Sequence, residues 1–315
     1  MNKDTLSEKL SFSRRDMIRT GALAAGAAAL SRFTVCKASE PKSAALKTAA
    51  GESPTKNMNL SLAAYSMRDA LTKGEMDLFG FIDWCAEMGL PGTELTSYYF
   101  KEGFDNSYLH QLKLHAFRQG VTVSGTAVGN NFCLPPGPER DEQIAHVKKW
   151  IDHAVEFSAP HIRIFAGRAP RGVELQTAIG WAVDGIKECL DYAGERGVVL
   201  GLENHGGITA RVKDHLAICD AVGEHPWFGI NLDTGNYRTN PYEELAMAAP
   251  RSVNVQVKVE VADKNGNSVP ADLTRFRDIL IQANYKGWVA LEYEAKEDPL
   301  VAIPRYIKQL QELFA

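Results

Sequence analysis

Residues 198–207, Val198-Val199-Leu200-Gly201-Leu202-Glu203-Asn204-His205-Gly206-Gly207, form a short apolar run that stops on a carboxylate and enters a glycine-bearing loop. A run of this length bounded by turn residues reads as a buried strand. Just upstream, apolar residues recur at helical spacing through Ala178–Arg196, and Gly197 follows as a helix stop. The unit is therefore a helix feeding a buried strand, with chemistry placed at the strand's end.

The same unit repeats in both directions. Strand-like runs fall at Asn59–Tyr65, Gly92–Leu95, Val121–Ala127, His161–Phe165, Val198–Glu203, Phe228–Asp233, Ser252–Lys258 and Trp288–Tyr293. Amphipathic stretches lie between and after them at Phe79–Met88, Leu109–Gln119, Ile144–Phe157, Ala178–Arg196, His215–Val222, Tyr242–Ala249, Leu273–Ala283 and Leu300–Phe314. Glycines after Met88, Gln119, Arg196 and Lys286 mark the expected helix-to-strand junctions. Alternation of this kind predicts a parallel sheet, and its eightfold repetition predicts closure into a (β/α)8 TIM barrel, a fold of ~250 residues. An open doubly wound sheet is the rival, but the first strand is not followed by the GxGxxG that dinucleotide binding needs.

The N-terminus has a different character. Ser13-Arg14-Arg15-Asp16-Met17-Ile18 precedes a weakly hydrophobic run from Gly21 to Leu30. That pattern predicts a twin-arginine-type signal peptide over residues 1–38, read by the twin-arginine translocon, and hence a periplasmic or otherwise exported protein. The apolar run falls short of the ~20 residues that cross a bilayer, so no stable membrane span is expected. Residues 39–56, rich in Ala, Ser, Lys, Thr and Pro without periodicity, read as a linker, and 57–315 as one barrel domain.

Composition narrows the partners. The 315-residue chain carries a formal net charge of −4 and no dense Lys/Arg stripe, which argues against a nucleic-acid partner. None of the five cysteines forms a CxxC pair, and Cys85, Cys189 and Cys219 fall in apolar helical patterns, so buried small hydrophobes are expected rather than a disulfide framework.

Polar residues gather at the ends of the later strands. Glu203 ends the fifth, Asp233 the sixth in Asn231-Leu232-Asp233-Thr234-Gly235-Asn236, and Glu292 the eighth in Leu291-Glu292-Tyr293-Glu294. Gln256 lies in the seventh, Val253-Asn254-Val255-Gln256-Val257-Lys258. Carboxylates emerging from apolar strands are costly unless paired or bound to a cation. Four oxygen donors, Glu203, Asp233, Gln256 and Glu292, suit a hard divalent ion: Mn²⁺ or Mg²⁺ first, Co²⁺ or Zn²⁺ possible.

With these motifs the chain resembles the xylose-isomerase-like superfamily of sugar isomerases and epimerases, from about Leu60 to the C-terminus. The resemblance implies Glu203, Asp233 and Glu292 as metal ligands, with Gln256 where these enzymes usually place a histidine. Two motifs depart from the family's pattern. Asp-x-Gly-His is here Asp233-Thr234-Gly235-Asn236, and His-x-His-x-Lys is Asn254-Val255-Gln256-Val257-Lys258. Amide for imidazole tilts the expected metal from Zn²⁺ toward Mn²⁺ or Mg²⁺. The implied mechanism is proton transfer beside a carbonyl, with Glu203 and Glu292 as the acid/base pair and Lys258 on an oxyanion.

Other residues are weighed one by one. His205, Glu94 and Asn236 are candidates for substrate binding. Arg163, inside the fourth strand, reads first as the partner of an internal carboxylate and second as a substrate-binding residue. Lys258 and Glu260 offer a plain ion pair as the bland alternative. Tyr65 and Phe132 read first as core and second as a wall for a sugar ring. The expected function is isomerisation or epimerisation of a small non-phosphorylated sugar or keto-sugar. The competitors are lyase or hydrolase cleavage of a keto-glycoside at the same site, and a sugar-binding barrel without turnover. An apurinic endonuclease would need further histidines and a basic groove. Oligomeric state is not legible in the sequence.

Overall fold

The computed structural model describes residues 58–314, so the expected leader, its cleavage point and the linker lie outside the described residues. Eight parallel strands close into a barrel. In chain order they are β1 (Asn59–Ala63), β2 (Gly92–Thr96), β3 (Thr122–Ala127), β4 (His161–Ile164), β5 (Val199–Glu203), β6 (Phe228–Asp233), β7 (Ser252–Val257) and, after a small antiparallel hairpin of β8 (Glu260–Ala262) and β9 (Ser268–Pro270), β10 (Trp288–Leu291). β10 pairs with both β7 and β1, which seals the ring.

Side chains alternate across each strand, and the two faces differ sharply. Leu60, Leu62, Leu95, Ile162, Ile164, Leu200, Leu202, Ile230, Leu232, Val255, Val257, Val289 and Leu291 are buried in one aliphatic cluster with the helices' apolar faces. Burying one such side chain contributes ~1.5–3 kcal/mol. The intervening positions carry Glu94, His161, Arg163, Glu203, Asn231, Asp233, Asn254, Gln256 and Glu292, all buried. The hydrophobic core is thus the shell between strands and helices, and the lumen is polar.

Each helix runs back along the outside: α2 (Leu78–Glu87), α3 (Asn106–Gln119), α4 (Pro138–Glu156), α5 (Leu175–Arg196), α6 (Val212–Val222), α7 (Pro241–Ala248), α8 (Leu273–Gln282) and α9 (Pro299–Leu313). Starts are set by side-chain caps such as Asp77 on Gly80 N (2.8 Å) and Asp105 on Tyr108 N (3.0 Å), or by Pro in the first turn of α4, α7 and α9. The helices α3, α4 and α5 begin three to six residues before their periodic apolar pattern does, because their first residues are mainly polar and face solvent, and α6 begins at the buried Val212. A short helix α1 (Arg68–Lys73) follows β1, which ends at Ala63 rather than Tyr65.

One expected helix stop is corrected. Gly287 does not end α8; Asn284 takes the left-handed position at φ 52°. A Cβ at Gly287 would lie 2.4 Å from the Tyr285 hydroxyl, so that glycine serves close packing. Cys85, Cys133, Cys189 and Cys219 are free and buried, as the apolar reading of the helical cysteines expects. No helix among the described residues is long and apolar enough to cross a membrane.

Candidate active site

The barrel's C-terminal mouth collects the chemistry, where this fold places it. Glu203 and Asp233 are the last residues of β5 and β6, and Lys258 and Glu292 directly follow β7 and β10. Glu292 N still donates to Val257 O (2.9 Å), which fixes its place in the register.

Lys258 is the hub. Its Nζ donates to Glu292 Oε2 (2.6 Å) and Glu294 Oε2 (2.6 Å) and lies 3.3 Å from Asp233 Oδ2. Its backbone N donates to Thr234 Oγ1 (2.8 Å). The stem passes over Gly235, where an added Cβ would sit 2.7 Å from Lys258 Cγ. Burial opposes the ammonium charge, but Asp233, Glu292 and Glu294 overcome it and hold Lys258 well above the usual lysine range. The alternative Lys258–Glu260 pair does not form; Glu260 instead accepts from Ser268 Oγ (2.5 Å) across the hairpin.

Glu203 is held from two sides. Arg163 Nε lies 2.9 Å from its Oε2, and Asn236 Nδ2 donates to its Oε1 (3.1 Å). Thr209 Oγ1 donates to Glu203 O (3.0 Å) and so anchors the loop behind it. The two glutamates differ in proton affinity. Burial, together with Asp233 and Glu292, raises Glu203 well above the carboxylate range despite Arg163. Burial also disfavours charge on Glu292, yet Lys258, helped by Arg163, brings it below its ordinary value. Burial thus favours the proton on Glu203 while Lys258 favours charge on Glu292, the opposite biases an acid/base pair needs. Asp233 is pushed up to about 7, chiefly by burial, with Lys258 opposing.

Gln256 has a different job from the expected one. Its Nε2 donates to Glu94 Oε1 (2.7 Å), and its Oε1 accepts from Asn231 Nδ2 (2.6 Å). Asn254 Nδ2 bridges Glu94 Oε2 (3.0 Å) and Asn231 Oδ1 (2.8 Å). These four side chains form a closed hydrogen-bonded ring in the lumen, below the mouth. Glu94, buried there, is pushed up to about 7 by burial and by Glu292, with the amide donors pulling the other way.

The expected four-oxygen metal set is therefore not assembled. Gln256 is committed to the ring, Lys258 lies among Asp233 and Glu292, and Arg163 and Asn236 hold Glu203. Among the described residues no group of three or more His, Cys, Asp or Glu is arranged to hold a metal ion. The donor set as arranged does not fit a divalent cation.

Arg163 pairs with an internal carboxylate as its strand position predicts, and its guanidinium also lies 3.9 Å over the Phe165 ring. His205 stands exposed at the rim, 4.2 Å from Phe165 by ring centroids, facing the mouth rather than the core. Partial burial there, then the Arg163 charge, lowers its proton affinity. Tyr65 lies in the turn after β1 with its ring edge toward Tyr98 (6.4 Å), and Phe132 is fully buried in the core. Beside Lys258 opens a cleft of about 210 Å³ lined by Asn236, Arg238, Lys258, Glu294 and the β8–β9 hairpin. Drug-sized sites span ~300–1,000 Å³, so this one suits a small molecule or part of one.

Sequence reading missed Glu294, Asn231, Asn254 as a ring member, and the hairpin. Glu294 was open to discovery, since two residues beyond Glu292 returns to the same side of an extended chain. The hairpin carried its own signal in Asn265-Gly266.

Comparison with known proteins agrees with this architecture. Residues 82–313 match the family described as xylose isomerase-like TIM barrel, and the chain belongs to that family. Among solved structures, the probable 3-DHS dehydratase AsbF of Bacillus anthracis superposes with a TM-score of 0.64 at 15% identity, over 81% of this chain and 99% of that one. The 3-keto-D-glucoside 4-epimerase YcjR of E. coli gives 0.61 at 16% identity, over 81% and 99%. The D-psicose 3-epimerase of Clostridium cellulolyticum H10 gives 0.63 at 16%, over 80% and 89%. At these identities the likeness establishes the shared fold. No curated protein sequence matches the chain.

Proposed function

We propose that this protein isomerises or epimerises a small non-phosphorylated sugar or keto-sugar by moving a proton on the carbon beside a carbonyl. The observation that carries the reading is the placement of Glu203 and Glu292, two buried carboxyls at one mouth, with Arg163 against the first and Lys258 against the second. Glu292 takes the proton, Glu203 supplies one from the other side, and Lys258 offers its ammonium to the oxygen where negative charge gathers. Asn236, His205 and the cleft beside Lys258 orient the hydroxyls. The structural likeness to sugar epimerases supports the substrate class. So does the Ser13-Arg14-Arg15 leader, since an exported enzyme meets free sugars more readily than phosphorylated intermediates.

A divalent-metal version of this chemistry would require Lys258 to leave the carboxylates and Gln256 to leave its ring, so the steps here run on the chain's own residues. A second reading is elimination of a keto-glycoside, favoured by the burial that raises the proton affinity of Glu203, which can serve a leaving group as acid. Incubating the protein with candidate sugars in D₂O separates these. Isomerisation or epimerisation puts deuterium at the carbon beside the carbonyl without fragmentation, elimination releases an aglycone, and Glu203→Gln or Glu292→Gln abolishes either. Binding without exchange or cleavage would leave the sugar-binding barrel standing instead.

A further inference from the structure

We propose that Lys258 is the site's resident cation: its ammonium takes the place among the mouth carboxylates that a divalent ion would require, and the protein operates without one. This deepens the proposed function and rests on it for the chemistry, though not for the cation itself.

The geometry around the ammonium is that of a built site. Its contacts of 2.6 Å to Glu292, 2.6 Å to Glu294 and 3.3 Å to Asp233 use carboxylates from two segments, the end of β6 and the stretch after β10. The lysine is almost fully buried, its backbone is tied to Thr234, and Gly235 leaves its stem a path that a Cβ would close. An ion entering here would meet a positive charge already touching the same oxygens.

The remaining donors are turned elsewhere. Gln256 uses both ends of its amide in the lumen ring, so its oxygen reaches a metal only by stranding Asn231. Asn236 presents an N–H to Glu203 Oε1, where a ligand would present a lone pair. Arg163 takes the other oxygen of Glu203. Amides and two fixed cations thus satisfy carboxylates that a metal would otherwise serve. In this role the ammonium turns the N–H nearest Asp233, its loosest contact, to the substrate's carbonyl oxygen, while Glu292 acts on the adjacent proton through the oxygen that Lys258 does not hold.

The test is metal binding itself. The full chain is loaded with excess Mn²⁺, desalted, and assayed for bound metal, with Mn²⁺ affinity read by electron paramagnetic resonance. Wild type is expected to retain only sub-stoichiometric metal, with no change in its thermal midpoint on adding Mn²⁺ or EDTA. Lys258→Ala, which frees the three carboxylates, is expected to bind Mn²⁺ at least about tenfold more tightly than wild type. If that variant does not fold, Lys258→Met, neutral and of similar length, takes its place. One equivalent of Mn²⁺ retained by wild type overturns the proposal. So does a folded variant that binds no more Mn²⁺ than wild type, because the carboxylates would then not be a cation site that the lysine fills. Deuterium exchange into sugars is run in parallel with EDTA. Exchange lost to the chelator sinks this inference and keeps the proposed function, whereas metal-free folded protein that exchanges no sugar sinks the function and leaves the cation result intact.

Discussion

Arg163 Nε lies 2.9 Å from Glu203 Oε2, and both side chains are almost wholly shut off from water inside the barrel. The pair is chemically unequal. A buried carboxyl can shed its charge by taking a proton, whereas a guanidinium cannot lose its own. Glu203→Leu therefore strands a cation and is expected to cost about 3–5 kcal/mol at neutral pH. Arg163→Leu should cost less, because Glu203, once without its partner, can discharge by taking up a proton. Urea denaturation of both variants and the double variant measures the difference; equal losses from the two single changes would contradict it.

The floor of the lumen yields a second expectation. An added Cβ at Gly201 would lie 2.3 Å from His161 Nε2 and 3.0 Å from Asn231 Cβ. Gly201→Ala should therefore destabilise the barrel by about 1–3 kcal/mol through overpacking. His161→Ala in the same chain should restore part of that loss by opening the space. If the double variant is no more stable than Gly201→Ala alone, the imidazole is not the obstruction.

His161 also sets a pH dependence. Burial, then the Arg163 charge, pushes its pKa down to about 3, so the folded protein holds it neutral while the unfolded chain protonates it near its ordinary value of 6.5. Below about pH 6.5 the unfolded state binds the extra proton, and stability falls as pH drops toward 3. Comparison with His161→Asn isolates this group from the other titrations. The stability of wild type relative to the variant should fall by up to about 1.4 kcal/mol per pH unit across that window. A difference that does not vary with pH would refute the neutral buried imidazole.

Gln256→Glu predicts the opposite slope. The new carboxyl would stand against Glu94, and the two would share a proton in the folded state that the unfolded chain releases near pH 4–5. Stability relative to wild type should then fall as pH rises from about 5 to 8, again by up to about 1.4 kcal/mol per unit. Gln256→Met, which leaves Glu94 short of one donor, should cost about 1–3 kcal/mol with a weaker pH dependence. Denaturation midpoints of both variants across this pH range decide the matter.

The barrel was readable because periodicity is a property of the chain itself: eight aliphatic runs, each followed by an amphipathic stretch, leave few ways to bury their faces. The carboxylates at strand ends were readable for the same reason. The partners of those carboxylates were not. That Lys258 meets Asp233 and Glu292, and that Gln256 turns inward to Glu94, depends on contacts between β2, β6, β7 and β10, distant in sequence and joined only by closure of the ring. Helix starts were blurred where polar first turns hide the apolar period, although Asp105 and Pro138 marked two of them. The hairpin was lost because its strands have three residues each, too short for alternation to register.

The aliphatic annulus outside the strands and the polar lumen within them are lined by alternate residues of the same segments. Substitutions on one parity of a strand reach the scaffold, and those on the other reach the chemistry. The chemistry can therefore change on inward positions while the outer annulus stays as it is, provided the buried polar groups of the lumen keep their partners. For an engineer, the inward positions of β2, β6 and β7 form a compact library in which acidity, charge and hydrogen bonding can be varied as matched sets, because Glu94, Asn231, Asn254 and Gln256 share one ring.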